Sequence, residues 1–489
     1  MTPDHPRNCA THALTDKARA RAIFEYLSLL QEAETLDIAE LEKILFSLRA
    51  ETGNAEMRQT MLEKLFIAFR AHLKPFLRRF ADIRIPLDRN FRHQTGILQG
   101  FLDNLAATHE TLLEDDSVRR QPEIALEIME RIAFCLYQHI YVSHLVVAPV
   151  QTGIWQRLHG IHLSSLRLPL APGRQPPLAS YREALLLAAA QPTSCAAHEL
   201  EFVAEYAHKC ADTIFFTTEM PQDGNAVFWV EPTHDFALFA LTRRSLPSGY
   251  RAFYFSTAKA AERSRKDLEA LDAGATAESL HLPKLAQTPA GQGALRRLAT
   301  AWSAPGKRHF PRRRQANHRR ARLCAGLARF RQLLQKKDGE SEVDISQWMI
   351  INESPDGYAL MHMSGTIGHV RIGDVVALRP DANPGWLVCL VRWAISENPE
   401  HIEIGLQIIA LDAIPASLVD GESRFVHTPL LLLPEYPSLR SASALVAPVG
   451  TITGDRCAIR LGGSKKTRDL SGLKVCEQNS CIEMFTLAE

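Results

Sequence analysis

The chain has 489 residues, of which 46% are hydrophobic and 23% charged, the balance of an ordinary globular protein. Lys and Arg number 56 against 55 Asp and Glu, so the net charge of +1 excludes a global field for nucleic acid or membrane and leaves only local preferences. Its length suits roughly three or four domains of ~100–200 residues each.

The N-terminal MTPDHPRNCATHALTDKARAR lacks the apolar core of a signal peptide, and no uncharged apolar run approaches the ~18–20 residues that span a bilayer. The expectation is a cytoplasmic protein without a membrane span. Nine scattered cysteines, with no C-x-x-C pair, read as reduced and mostly buried thiols rather than a zinc site.

The first third reads as helices. In DIAELEKILFSLRAE, Leu41, Ile44, Leu45 and Leu48 recur at the spacing of one helix face, with Asp37 as N-cap. MLEKLFIAFRAHL repeats the pattern through Leu62, Leu65, Phe66 and Phe69. Helical stretches continue in GILQGFLDNLAATHETLL and EIALEIMERIAFCLYQHIYVSHLVV, then, after the proline-rich LRLPLAPGRQPPLAS, in YREALLLAAA and AAHELEFVAEYAHKCADTIFF. His139, His144, His159 and His162 lie among apolar residues and read as core or surface histidines, since no carboxylate or cysteine shares their spacing.

Near residue 220 the pattern changes. AVFWV, FALFAL and YRAFYF are short aromatic and β-branched runs between turns, followed by the charged helix KAAERSRKDLEALDAG. Farther on, RLCAGLARFRQLL, QWMIINES, YALMHM, DVVALR, WLVCLVRWAI and IEIGLQIIA are of strand length, and RQLLQKKDGESEVD reads as an extra hairpin. Many short strands with few helices argue for closure into a barrel, which removes exposed sheet edges. TPLLLLP, SALVAP, CAIRL and CIEMFTL suggest a second small barrel or sandwich, with LGGSKKT a hairpin turn.

The expected fold class is therefore multidomain α+β. A helical domain spans 1–220, a small α+β region 221–305, a β-barrel with a basic N-terminal loop 306–412, and a C-terminal β module 413–489.

Two stretches carry chemistry. GKRHFPRRRQANHRRAR, residues 306–322, holds eight Lys and Arg and no acidic residue. The arginine fork can grip phosphate or the O6/N7 edge of guanine bidentately, although such a run is also a common solvated linker. In INESPDGYAL, Asn352, Ser354 and Gly357 stand at N-x-S-x-x-G spacing, suited to base edges, phosphate oxygens and close backbone approach, or to a plain turn.

In this order, followed by WLVCLVRWAI and HIEIGLQIIA, these stretches resemble the PilZ domain. The W-x-V-x-x-V-R-W strand from Trp386 to Trp393 and the I-G-L-Q from Ile404 to Gln407 are similar to its barrel strands. The resemblance implies a six-stranded barrel that receives cyclic di-GMP, with no other cofactor and no metal. Arg313, Arg314, Arg319 and Arg320 would clamp phosphates and guanine faces, Asn352 and Ser354 would hydrogen-bond the ligand, and Gly357 would shape the turn.

In the expected place, no two arginines stand at the family's R-x-x-x-R spacing. Arg314 and His318 have the spacing with a histidine in the second slot, and Arg314 to Arg319 is one residue longer. No GG[DE]EF segment for making the nucleotide is present. The implied function is a non-catalytic receptor that reorients its N-terminal region toward a protein partner in motility, pili, exopolysaccharide or secretion. The alternative is an adaptor barrel acting by protein–protein contact without nucleotide. Specific nucleic-acid binding is not expected.

Overall fold

The computed structural model describes residues 37–50, 55–80, 83–169, 178–222, 224–247, 249–304, 313–314, 319–335, 343–398, 400–419, 428–436, 442–462, 464 and 466–487. Backbone contacts divide the chain into two compact units. One comprises Met1–Ala81, Asn90–Val142 and Thr152–Tyr181, and the other Asp82–Arg89, Ser143–Gln151 and Arg182–Glu489.

The first unit is helical, built from α1 (Ile38–Ala50), α2 (Ala55–Arg78), α3 (Arg89–Leu113), α4 (Asp116–Arg119), most of α5 (Pro122–Leu145) and α6 (Ile154–Ser165). Asp37 caps α1 as its sequence implies, its Oδ1 accepting from the Ala39 amide at 3.0 Å and the Glu40 amide at 3.3 Å. The periodic residues of α1 and α2 are buried. Phe66 meets Phe134 edge-on at 5.2 Å and Phe69 meets Phe101 at 5.0 Å, so α2, α3 and α5 share one core. His139, His159 and His162 are buried core residues. His159 Nδ1 lies 3.0 Å from the Tyr181 hydroxyl, and His162 stacks on the same ring at 4.3 Å.

The second unit begins with α7 (Ala179–Ala189, its first turn in the other unit) and α8 (Ala197–Cys210). A small antiparallel sheet follows, of β1 (Phe216–Thr217), β2 (Val227–Val230), β3 (Phe239–Ala240) and β4 (Phe253–Ser256) in the order β1-β4-β2-β3. Helices α9 (Ala258–Asp272) and α10 (Pro289–Ser303) complete the mixed region. Trp302 anchors α10 to α7, its indole donating to the Leu186 carbonyl at 3.1 Å.

Next come β5 (Arg313–Arg314), β6 (Arg320–Ala325), β7 (Ser346–Ser354), β8 (Gly357–Ser364), β9 (Val375–Pro380), β10 (Leu387–Ser396) and β11 (Ile402–Ala410). Six strands run antiparallel in the order β7-β6-β9-β10-β11-β8, and the β7–β8 pairing closes the ring. This is the expected six-stranded barrel. Its interior is filled from alternate positions, among them Leu323, Trp348, Ile350, Leu360, Val391 and Leu406. The short β5 pairs with the end of β7 beyond β6, so β5 and β6 lie end to end along one edge of β7.

The expected extra hairpin is instead a helix. The strand reading of RLCAGLARFRQLL holds only to Ala325, where Gly326 at φ +88° turns the chain into α11 (Leu327–Gln335). Leu327, Phe330, Leu333 and Leu334 recur every three or four residues, a period a strand cannot bury on one face. Residues 336–342 of the expected hairpin lie outside the described residues.

The C-terminal module comprises β12 (Ile414–Leu418), β13 (Pro429–Leu433), β14 (Ala444–Pro448), β15 (Arg456–Leu461), β16 (Thr467–Ser471), β17 (Lys474–Gln478) and β18 (Ile482–Thr486), ordered β16-β15-β12-β13-β14-β18-β17. Only Gly472 and Leu473 separate β16 from β17, yet these strands form the two edges, so the sheet curls almost shut. Its inner face holds Leu430, Leu445, Ile459 and Phe485. Leu431, Leu433, Val446 and Ile482 alternate with these and share a second core with Val375, Ala377, Val388 and Leu390 of the barrel exterior. Phe330 and Leu333 of α11 belong to the same core. Burying Phe330 alone contributes about 1.5–3 kcal/mol. The two β modules are thus one packed body.

Candidate functional site

Asn352, Ser354 and Gly357 occupy a hairpin tip. Ser354 ends β7, Pro355 and Asp356 make the turn, and Gly357 opens β8 opposite Ser354. The Ser354 hydroxyl donates to Asp356 Oδ1 at 2.6 Å and reaches the Gly357 carbonyl at 3.3 Å. The Asp356 carbonyl accepts from the Ile408 amide at 2.9 Å, which fastens the tip to β11. Gly357 is required by close approach: a Cβ there would run into the Leu406 carbonyl oxygen.

A β-bulge decides where the polar residues face. Trp348 and Ile350 point into the barrel, so strict alternation would carry Asn352 and Ser354 inward as well. The β7–β8 register instead slips between Ile350 and Asn352, pairing Ile350 with Leu360 but Asn352 with Ala359. Ile351 is the extra residue. Asn352 and Ser354 therefore join the outer-face series with Ala359 and Gly357. Glu353 takes the inner-face series opposite Tyr358, a ring packed against the barrel core.

The basic segment meets this tip through its backbone. Arg314 is in register with Asn352, and Arg313 with Glu353. The remaining residues of 305–318 lie outside the described residues. Arg319 and Arg320, grouped together by sequence, diverge. Arg319 sits at the barrel end with its guanidinium 3.6 Å from Glu353, and its carbonyl accepts from the Ile350 amide at 2.9 Å. Arg320 is exposed and pairs with Met349, on the outer-face series of Asn352. Burial and then the Glu353 charge raise the Tyr358 hydroxyl above its ordinary range, so this mouth of the barrel holds a neutral phenol beside an ion pair.

Register also extends the outer face beyond the residues singled out by motif. Trp393 lies opposite Gly405, Gly405 opposite Ala359, Ala359 opposite Asn352, and Asn352 opposite Arg314. A Cβ on Gly405 would run into the Trp393 indole, so that ring lies directly over the glycine. At ~4.8 Å per strand, the row offers a floor of small residues about 14 Å across between Trp393 and Asn352. The signal was in the sequence, in the V-R-W and I-G-L-Q strands, but only pairing aligns them. One position back from Trp393, Arg392 sits at a second bulge, where its Nε donates to Gln407 Oε1 at 2.6 Å. Its two terminal nitrogens donate to Glu477 of β17 at 2.9 and 3.1 Å.

With the barrel, the bulged turn and the basic strand in place, comparison with known families becomes specific. Residues 329–415 match the model described as cyclic-di-GMP receptor FimW, middle PilZ domain. The barrel is a PilZ domain. The PilZ match begins at residue 329, downstream of β5 and β6 and of all four candidate arginines. Residues 18–221 match the model described as cyclic-di-GMP receptor FimW, N-terminal domain. The cyclic-di-GMP receptor FimW of Pseudomonas aeruginosa is 25% identical over 123 residues, 24% of this chain and 20% of that relative. The matched stretch thus covers about a fifth of the curated relative's length. No solved structure matches.

Proposed function

We propose that this protein is a non-catalytic receptor for cyclic di-GMP, binding the nucleotide on the outer face of the PilZ barrel between the basic segment and the Asn352–Gly357 turn. The observation that carries this reading is the register of Arg314 against Asn352, which brings two motifs far apart in sequence to one edge. Arginines of the segment would grip phosphates and guanine faces, Asn352 and Ser354 would bond base or phosphate edges, and Ala359 and Gly357 would form the floor. The matched PilZ family and the receptor named among the relatives support the ligand class.

The receptor acts without a catalytic group of its own. Docking of the basic segment by a polyanion shifts the balance between segment conformations, provided the docked state binds better. A protein partner of the helical region reads that shift, in a cytoplasmic pathway such as motility, pili, exopolysaccharide or secretion. Among the described residues no helix is long and apolar enough to cross a membrane.

A second reading, an adaptor barrel without nucleotide, is favoured by two contacts. The Ser354 hydroxyl is already donated to Asp356, and Arg319 is already paired with Glu353.

Calorimetric titration of the intact protein with cyclic di-GMP separates the two, with GTP and cyclic di-AMP as controls. The receptor predicts saturable, guanine-selective heat that disappears in Asn352→Ala and in the Arg313→Ala/Arg314→Ala double variant. An absence of heat at about 100 μM ligand, meaning less than roughly 5.5 kcal/mol of binding, leaves the adaptor.

A further inference from the structure

A cleft of the second unit, away from the hairpin tip, concentrates arginine. Two adjoining cavities of about 480 and 420 Å³ share Gln191, Ser194, Arg243, Arg297 and Glu477 in their linings. The first also reaches Glu199, Arg392 and Trp393, and the second Arg296. Their charged lining is four arginines against two glutamates. Each volume is within the ~300–1,000 Å³ of small-molecule sites.

The arginines are held in place by neighbouring groups. Arg297 Nη1 donates to the Gln478 carbonyl at 2.8 Å, and Arg296 Nη1 donates to the Gln478 side chain. Arg392 is fixed by Gln407 and Glu477. Glu199, itself buried, fastens α8 to the C-terminal module by accepting from the Ser480 amide at 2.7 Å. Arg297 Nη2 is ion-paired with the buried Glu199 carboxylate, 2.9 Å from its Oε2. With four arginines against two glutamates, the cleft carries a surplus of positive charge that an anion with several oxygens would balance. Thr193 adds a hydroxyl to the same lining, while the Ser194 hydroxyl donates to the Gln191 carbonyl at 2.7 Å. Gln191 holds the adjoining turn in the left-handed region at φ 58°, a conformation disfavoured for a non-glycine residue.

We infer that this cleft is a second ligand site, selective for a small multivalent phosphate, held by the forks of Arg243, Arg296 and Arg297 and the Thr193 hydroxyl. Phosphate suits it better than a single carboxylate because three guanidiniums and a hydroxyl can engage more acceptor oxygens than a carboxylate carries. The site does not depend on the nucleotide reading of the barrel face; it borders that face at Trp393 but includes none of Arg313, Arg314, Arg319, Arg320, Asn352, Ser354 and Gly357.

The test is titration of the intact protein with sodium pyrophosphate, and in a second arm with ATP. Wild-type protein and the Asn352→Ala variant should bind saturably and alike. Arg243→Gln/Arg296→Gln, both exposed positions, should bind at least about tenfold more weakly with an unchanged unfolding temperature. Tighter binding of ATP marks a nucleotide ligand, and equal binding marks a bare polyphosphate; either supports the site. Absence of saturation by about 5 mM pyrophosphate, or undiminished binding in the double variant, overturns it. So does loss of pyrophosphate binding in Asn352→Ala, which would place the anion on the barrel turn instead.

Discussion

At Gly357 the constraint is backbone proximity. The Leu406 carbonyl occupies the space where a Cβ would stand, and this is main chain on a central strand, with little freedom to retreat. Gly357→Ala should therefore prise the tip from β11, costing roughly 1–3 kcal/mol in urea unfolding. On the receptor reading it should also weaken cyclic di-GMP in step with Asn352→Ala. A substitution that left both stability and binding intact would show that the tip adapts freely. Gly405 differs, because its obstacle is the Trp393 side chain, which can swing away. Gly405→Ala should cost less stability while displacing the indole, a change that tryptophan fluorescence would register.

Among the elements, the bulge in β7 has the largest consequence. One extra residue, Ile351, moves Asn352 and Ser354 from the inner to the outer series and sends Glu353 inward, where it holds Arg319. The two neighbouring arginines thereby acquire different surroundings. Arg320→Ala should weaken cyclic di-GMP by about tenfold or more, as expected for loss of a charge-assisted contact. Arg319→Ala should change affinity by less than about threefold, since its guanidinium serves an exposed ion pair of small worth. Calorimetry on both variants checks the difference, and the reverse ranking would mean that the Arg319–Glu353 pair opens to receive ligand. Helix α11 was missed at this scale because RLCAGLARFRQLL is apolar enough for either period, and Gly326 decides where one ends and the other begins.

For the second unit as a whole, the two β modules act together. Beside their shared apolar core, the Arg392–Glu477 pair ties barrel to C-terminal sheet, and Gln407 links it to the strand facing Gly357. Burial alone would raise the Glu477 carboxyl. Hydrogen bonds from Arg392, then the charges of Arg392 and Arg297, outweigh this and hold it below the ordinary glutamate value of 4.5. A depressed folded-state value stabilises the protein above the unfolded one, and that stability is lost as pH falls through the folded value. Wild-type protein should therefore lose stability below about pH 4.5 relative to neutral pH more steeply than Glu477→Gln does. The difference should be about 1 kcal/mol, given the partial exposure of both partners. Thermal melts between pH 3 and 7 read it, and parallel curves would mean that solvent screens the pair.

Periodicity and spacing alone determined the helical first part, the Asp37 cap, the strand-rich second half, the barrel and the N-x-S-x-x-G turn, because each is a local pattern of apolar and turn residues. Register and long-range approach were decided by the tertiary structure. Which face Asn352 presents, which arginine stands beside it, why Gly357 must be glycine and how Trp393 comes into line with Arg314 all depend on strands distant in sequence. So does the arginine cleft, whose lining comes from residues near 191, 243, 297, 392 and 477. A one-residue bulge leaves no mark in composition, yet it reverses a strand face, since side chains alternate with a period of two.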